Sequence, residues 1–422
     1  MQDYDAIVVG AGPSGSSCAI FLGRKGVKTL LVDKASFPRD KTCGDGITGK
    51  SSGVLAELGI ESEIAEGQHE KINGLITSSP SGVSLDSNAD NKPVETSTYV
   101  CKRLIFDNIL FQEAKKKADV IENFSVTDLV IENGKTIGVK GTENGEEKEF
   151  RAKVVVGADG ANSIVARKLG LNEFKPDRSL VSVRAYYENV AGLRDRIEFH
   201  FLEELLPGYF WIFPAGNNVS NVGIAVVAGD VPKRKLNLKE KLDEIVKKSR
   251  FAPRFKNAKQ VSEVKGWNLP TGAQKRKRAG DGFILVGDAA SLIDPFTGEG
   301  IGNALLSGKQ AAEVISTAVE KNDFSYGTLG EYEVRIDRLM EKEFRTSYKF
   351  QKFGKNAIMF NALVEELSLD KNSMKMATSA FSDATHTTAS FQIPLGLYVK
   401  VFIRYLRDYL NFKMRRKPSA SY

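Results

Sequence analysis

The sequence predicts an α/β protein with a Rossmann-like dinucleotide-binding domain, a β-rich second domain and a helical C-terminal extension. Three observations carry that prediction. Tyr4-Asp-Ala-Ile-Val-Val-Gly-Ala-Gly-Pro-Ser-Gly15 reads as a buried strand, a tight glycine turn and the start of a helix. Far downstream, Gly282-Phe-Ile-Leu-Val-Gly-Asp-Ala-Ala290 reads as another buried strand ending in a turn. The chain of 422 residues is too long for one compact core.

The elements follow in order. Gly10 makes the turn, Gly12 admits a pyrophosphate close to the backbone, and Gly15 lets the helix pack on the strand. Pro13 and Ser14 open that helix, whose unpaired N–H groups and positive dipole end suit an anion. Lys28-Thr-Leu-Leu-Val-Asp33 is a second strand ending in a carboxylate for ribose hydroxyls, with Lys34 beside it. A helix from Lys102 to about 118 and a strand from Asp119 return to the sheet. Residues 129–151 alternate apolar and polar around two Asn-Gly turns and predict a β-meander. Lys153-Val-Val-Val-Gly-Ala-Asp-Gly-Ala-Asn-Ser163 is a strand running into an Asp159-Gly160 turn. From about 176 to 275 the pattern is mostly strand (Val181–Val190, Arg196–Phe201, Tyr209–Pro214, Val219–Val227), interrupted by a charged helix over Leu236–Ser249. Beyond about 325 helix dominates, including Tyr332–Phe353. The expected division assigns 1–75, 100–175 and 276–325 to the cofactor domain. Residues 76–99 and 176–275 go to a substrate domain, and 326–422 to the helical region.

Composition narrows the function classes. Hydrophobic content of 41% and charged content of 27% are ordinary for a soluble globular protein. No apolar run approaches the roughly 18 residues of a membrane span. Asp3 and Asp5 lead straight into a core strand, which does not read as a signal peptide. Cys18, Cys43 and Cys101 are too scattered for a disulfide framework, and His69, His200 and His386 share no ligand spacing. A reducing cytoplasm and no metal are therefore expected. Much of the net charge of +7 lies near the C-terminus. Wound as a helix, residues 397–413 place Tyr398, Phe402, Tyr405, Tyr409 and Phe412 on one stripe, with Lys400, Arg404 and Arg407 opposite. Such a stripe either packs on the protein or rests on an anionic membrane surface, making 397–417 a candidate peripheral contact. No nucleic-acid motif accompanies the charge.

Asp294-Pro-Phe-Thr-Gly-Glu-Gly-Ile-Gly302 follows the Gly287-Asp288 turn and leads into another helix. A second glycine-rich helix start this far downstream suits a cofactor too long for one βαβ unit, which favours FAD. Gly287, Asp288, Gly298, Gly300 and Ile301 join Asp159 and Gly160 as candidate cofactor residues. With all three turns in this order, the chain resembles the FAD-dependent oxidoreductases of the para-hydroxybenzoate hydroxylase type from residue 4 to about 310. The resemblance sharpens to the geranylgeranyl reductase family, which combines an early Cys-Gly-x-Gly with a Tyr-x-Trp-x-Phe-Pro strand and an Asn-Val-Gly strand. Here these are Cys43-Gly-Asp-Gly46, Tyr209-Phe-Trp-Ile-Phe-Pro214 and Asn221-Val-Gly223. Arg103, with Phe106 and Asp107, stands where such flavoproteins hold the cofactor. The family implies reduction of isoprenoid double bonds on FAD, with a prenylated small molecule or lipid as substrate.

An isolated trisubstituted alkene is not polarised by a carbonyl, so protonation followed by hydride from reduced flavin N5 is the easier route. Tyr209 and Trp211, on one face of their strand, offer aromatic faces to a developing cation, or are sheet core. Cys43, Tyr209 or a water held by the Gly-Asp-Gly loop are the proton-donor candidates, and Cys43 with Gly44 also reads as packing beside the ring. Asp45 reads as a turn cap. The external reductant is NADPH or a reduced protein carrier, without a nicotinamide domain of its own to hold the former. Two rivals remain. One is a flavin monooxygenase or halogenase, although halogenases carry Trp-x-Trp-x-Ile-Pro where this chain has Tyr209 and Phe213. The other is a membrane-surface flavoprotein electron carrier.

Overall fold

The computed structural model describes residues 4–89, 98–369 and 400–409. Its central sheet runs Ala279–Gly280, Phe283–Leu285, Glu146–Gly157, Tyr4–Val9, Thr29–Val32, Asp119–Ile121. All neighbours are parallel except the first pair. A parallel sheet is covered on both faces, which is why its strands are runs of Val, Ile and Leu rather than alternations. Val8 lies between Val156 and Leu31, and all three are fully buried. Helix Pro13–Arg24 packs on helix Ile301–Lys321 closely enough that a Cβ on Gly308 would meet the Ser14 carbonyl oxygen at 2.2 Å. The meander of Phe124–Glu132 and Lys135–Glu143 continues into Glu146–Gly157, so one long strand belongs to both layers.

The second sheet runs Lys259–Gln260, Ser179–Glu188, Val219–Val227, Tyr209–Pro214, Arg196–His200, Gly74–Ser78, Ser84–Asp86, with Lys265–Pro270 also on Ser179–Glu188. Its register aligns three rows across the strands: Tyr186 with Asn221 and Phe213, Arg184 with Gly223 and Trp211, and Ser182 with Ala225 and Tyr209. Alternation puts all nine residues on one face. The other face, with Val183, Ile212, Val222 and Ile224, packs under helix Leu238–Lys248. Gly46–Ile47, Tyr99–Val100 and Glu70–Lys71 form a small third sheet that ties the loop at 43–46 to the start of helix Arg103–Lys115.

In the helical region, Glu331–Ile336 passes through a single π turn, Asp337–Glu341, into Lys342–Phe353 without a break. Helix Ala357–Leu369 follows, and residues 400–409 are helical. No helix among the described residues is long and apolar enough to cross a membrane.

The structure corrects the expected faces of the last helix. Arg404 turns inward to Glu365 (2.7 Å) and Glu366, and Tyr405 packs partly on the core that includes Phe360 and Leu363. Phe402, Ile403 and Leu406 are exposed, at 56%, 61% and 41%. The buried edge follows the two acidic partners on helix Ala357–Leu369, not the aromatic stripe. Tyr398, Phe412 and the basic residues from Lys413 onward lie outside the described residues.

Candidate active site

The first turn is built as the glycines require. Gly10 has φ +100°, and a Cβ there would stand 2.5 Å from the Ala158 carbonyl oxygen. Helix Pro13–Arg24 begins at Gly12 with no side-chain cap, so its first N–H groups are open to an anion. A Cβ on Gly12 would meet only Arg39, at 3.5 Å. Asp33 ends the second strand and accepts the Ala11 N–H at 2.7 Å, which locks the turn to the strand end. Helix Ile301–Lys321 starts at Gly300, and there the Glu299 carboxylate accepts the Gly302 N–H at 2.8 Å.

Facing these turns is an aromatic wall. Tyr209, Trp211 and Phe213 are 6%, 5% and 7% exposed, and the Phe199 ring lies edge-on to Tyr209 and Phe213 at 5.0 and 5.1 Å. The neighbouring strand makes the wall fit. A Cβ on Gly223 would stand 2.4 Å from the Trp211 ring, so only glycine leaves room for the indole. Asn221 accepts the Trp211 Nε1–H at 2.9 Å, and its amide donates to the Cys43 carbonyl (2.7 Å) and to Asp45 Oδ2 (2.8 Å). Tyr209 donates its hydroxyl to the Thr297 carbonyl at 2.5 Å, so its proton is engaged by the backbone.

The loop between turn and wall carries the charged groups. Arg103 is buried and forks onto Asp107, its Nη2 donating to Oδ2 at 2.7 Å, and Arg39 donates to the same carboxylate at 2.8 Å. Burial works against the Arg103 charge, but Asp107 and the adjacent Cys43 side chain outweigh it and hold the guanidinium ionised. Asp45 has left-handed backbone (φ 67°) and no exposed surface. Its Oδ2 accepts from Tyr186 (2.6 Å) and Asn221, whereas its buried Oδ1 accepts nothing among the described residues. Burial pushes its carboxyl up to about 6, against the pull of Tyr186, Asn221, Arg184 and Arg103.

One continuous cavity of about 1520 Å³ joins these parts. Lining it are Gly10, Gly12, Pro13, Ser14, Asp33, Lys34, Cys43, Gly44, Arg103, Asp159, Gly160, Asp288, Gly298, Gly300, Ile301, Tyr209 and Trp211. Gly15 and Gly287 stand behind the wall. A Cβ on Gly15 would strike the Gly10 carbonyl oxygen, and Gly287 backs onto Ser14 while donating its N–H to Ser307. The Asp159 carboxylate caps its own helix, accepting from Ile164 N–H at 2.6 Å and from Ser163. The set fits FAD: a glycine turn with an uncapped helix start, a carboxylate at the adjacent strand end, and a second glycine-rich helix start at the far end of one cavity. Ordinary ligand pockets reach about 1,000 Å³, so a second ligand has room beside the flavin.

Residues 3–320 match the FAD binding domain family. The chain is 32% identical over 355 residues to the digeranylgeranylglycerophospholipid reductase of Thermoplasma acidophilum, covering 81% of this chain and 85% of that one. The chain belongs to the geranylgeranyl reductase family of FAD-dependent oxidoreductases. Likeness to the same-named reductase of Methanoculleus marisnigri, 30% over 417 residues, takes in 98% of both chains. A solved geranylgeranyl bacteriochlorophyll reductase-like protein from Thermoplasma acidophilum superposes with a TM-score of 0.76 at 28% identity, over 97% of this chain and 99% of that one. A flavin-dependent brominase, at 20% identity and a TM-score of 0.71 over 99% of this chain, shares the fold alone.

Sequence reasoning missed Asn221 as a hub, Gly223 as the space for Trp211, and Arg39 and Tyr186 as partners. The Asn-Val-Gly motif was the available signal for the first two. For Asp45, polarity within a glycine loop gave no sign of its burial.

Proposed function

We propose that this reductase-family chain hydrogenates isolated carbon–carbon double bonds in the geranylgeranyl-type chains of a glycerophospholipid. The observation that carries the reading is the aromatic wall of Tyr209, Trp211 and Phe213 set against the Asp45 loop in a cavity large enough for FAD and a prenyl chain. When bound and reduced, FAD supplies the hydride, with N5 as the donor.

The chain supplies the rest. Gly12 and the start of helix Pro13–Arg24 seat the pyrophosphate, Asp33 the ribose, and Gly298 to Ile301 the far end of the cofactor. Trp211 and Tyr209 present π faces to positive charge developing on the alkene, worth about 0.5–2 kcal/mol each, and exclude water from it. Asp45 carries a proton at the Oδ1 that no protein group occupies, but it exposes no surface to the cavity, so delivery to the alkene requires relay through a group that lines the cavity. Tyr209 serves as wall rather than acid, because its hydroxyl proton is given to Thr297. Cys43 is the alternative donor, and the pair Cys43→Ala and Asp45→Asn separates them, since only loss of the true donor abolishes turnover in flavin-loaded protein. Exposed Phe402, Ile403 and Leu406, flanked by Lys400 and Arg407, support peripheral contact with an anionic bilayer, where such a substrate resides.

The test is anaerobic. Dithionite-reduced protein, freed of excess reductant, is mixed with a geranylgeranylated glycerophospholipid, and the flavin absorbance is followed. Reoxidation without oxygen supports the reading. A flavin that stays reduced until oxygen is admitted favours the monooxygenase alternative.

A further inference from the structure

The same cavity has a charged opening that neither the flavin nor the aromatic wall accounts for. It lies between helix Gly49–Leu58, helix Ile301–Lys321 and the helix that runs from Glu331 to Phe353. The last of these lines the cavity with Arg338, Leu339, Lys342, Glu343, Thr346 and Ser347, a stripe of pairs spaced four apart. In a regular helix of 3.6 residues per turn, each step of four drifts by about 40°. The π turn at Asp337–Glu341 takes up that drift and keeps the first pair on the face of the last.

Lys50 faces three carboxylates, Glu343, Glu299 and Asp294, so the cations left over at this opening are those of the long helix. Lys50 is held by Glu343 at 2.7 Å, and Lys309 by Glu57 at 2.6 Å. Arg338 and Lys342 are exposed and have no ion-pair partner among the described residues. The same cavity is also lined by apolar Leu339, Val54, Leu306 and Ile301, and by the aromatic strand. A cationic rim on an apolar passage fits an amphiphile with an anionic head and a hydrocarbon tail.

We propose that Arg338 and Lys342 form the seat for the phosphate headgroup of the prenyl lipid, holding it at the rim while the chain threads inward to Trp211. The assignment rests on the lipid-reductase reading and adds where the substrate is gripped. It makes the rim the source of preference for phosphorylated over neutral prenyl lipids. The Ser347 hydroxyl lies one turn further along the same stripe, available to the phosphate oxygens or the glycerol, whereas Thr346 donates its own to the Lys342 carbonyl at 2.9 Å.

The experiment measures binding to oxidised, FAD-loaded protein by quenching of intrinsic fluorescence, which needs no turnover. The probes are diphytanylglycerol phosphate, neutral diphytanylglycerol and inorganic phosphate. The Arg338→Ala/Lys342→Ala double variant should bind the phosphorylated lipid at least about tenfold more weakly, as expected for loss of two charge-assisted contacts. Its affinity for the neutral lipid should be unchanged, and it should retain its flavin. Wild-type affinity for the phosphorylated lipid should fall with salt, and that for the neutral lipid should not. Displacement of the lipid by millimolar inorganic phosphate would make the rim a general phosphate seat, overturning its assignment to the headgroup. Equal affinity of wild type and double variant for the phosphorylated lipid, or parallel loss for both lipids, overturns the proposal while leaving the reductase reading intact. Failure of wild type to bind either lipid defeats the reductase reading, and the headgroup seat with it.

Discussion

Asp45 shows how a single residue can be costly and retained. A carboxyl whose folded pKa is raised to about 6 from an ordinary value near 3.8 binds its proton more tightly folded than unfolded. Stability is then greatest below about 4, declines as pH rises through 6, and is lowest at neutral pH. The groups around it do not reverse the sign: Tyr186 and Asn221 as donors, Arg184 and Arg103 as cations, and Cys101 nearby. Asp45→Asn should therefore raise stability at pH 7.5 by up to about 3 kcal/mol, and the gain should vanish by pH 4 in thermal melts. The same variant should abolish alkene reduction, and wild-type turnover should decline as pH rises above about 6. A neutral-pH melt in which Asn is no better than Asp would contradict the buried carboxyl. By contrast, Ser78, His200 and Glu198 line up as hydroxyl, imidazole and carboxylate, but all three are buried and Arg254 forks onto Glu198. That cluster reads as structure. Glu198→Ala should cost about 1–3 kcal/mol in denaturant melts by removing buried acceptors of Arg254 and His200, with turnover of the surviving folded protein unchanged. Residue identity made the glycine turns, Asp33 and the aromatic strand legible. It could not show that Asp45 is enclosed, because enclosure comes from strands more than a hundred residues away.

At the scale of elements, periodicity placed the strands of 181–227 and the helices near 102–118, 236–249 and 332–353 to within a few residues, but not helix Gly49–Leu58 or strand Lys265–Pro270. The strand Tyr209–Pro214 matches its expected limits, as does Val219–Val227. The register between them was not legible, and it is the register that gives Asn221 and Gly223 their roles. Gly223→Val should displace the Trp211 indole, given the 2.4 Å approach that even a Cβ would make. The expected outcome is retained flavin and alkene reduction slowed by at least about tenfold, read by stopped-flow reoxidation. Gly12→Val fills space open to the ligand and should abolish flavin retention, giving colourless protein. The π turn at Asp337–Glu341 left no mark in the apolar pattern, because its purpose is met by polar residues facing a cavity. The last helix misled for a related reason. Its aromatic stripe was the stronger pattern, but two carboxylates on the preceding helix decide which edge turns inward.

At the scale of the molecule, the cavity lies between two sheets whose strands are drawn from distant parts of the chain. Helix starts on the parallel sheet line one end of it, and the antiparallel sheet supplies the aromatic wall. The small sheet at 46–47 and 99–100 pins the Cys43–Gly46 loop between them, with Cys101 N–H donating to the Asp45 carbonyl at 3.0 Å. The order of the three glycine turns was enough to anticipate this two-layer plan. The cavity's continuity past the aromatic wall to a cationic rim was not, since it depends on how three helices meet. We propose that this space brings a prenyl double bond up to a reduced flavin, with its proton supplied by the protein. The most direct measurement of that proposal is mass spectrometry of a geranylgeranylated glycerophospholipid after anaerobic incubation with the dithionite-reduced protein in deuterated water. The expected result is saturation in steps of two deuterium atoms per reduced bond, because the acid proton and the N5–H of the reduced flavin both exchange with solvent. Unchanged lipid, or a product that gains oxygen and forms only in air, would contradict the proposal.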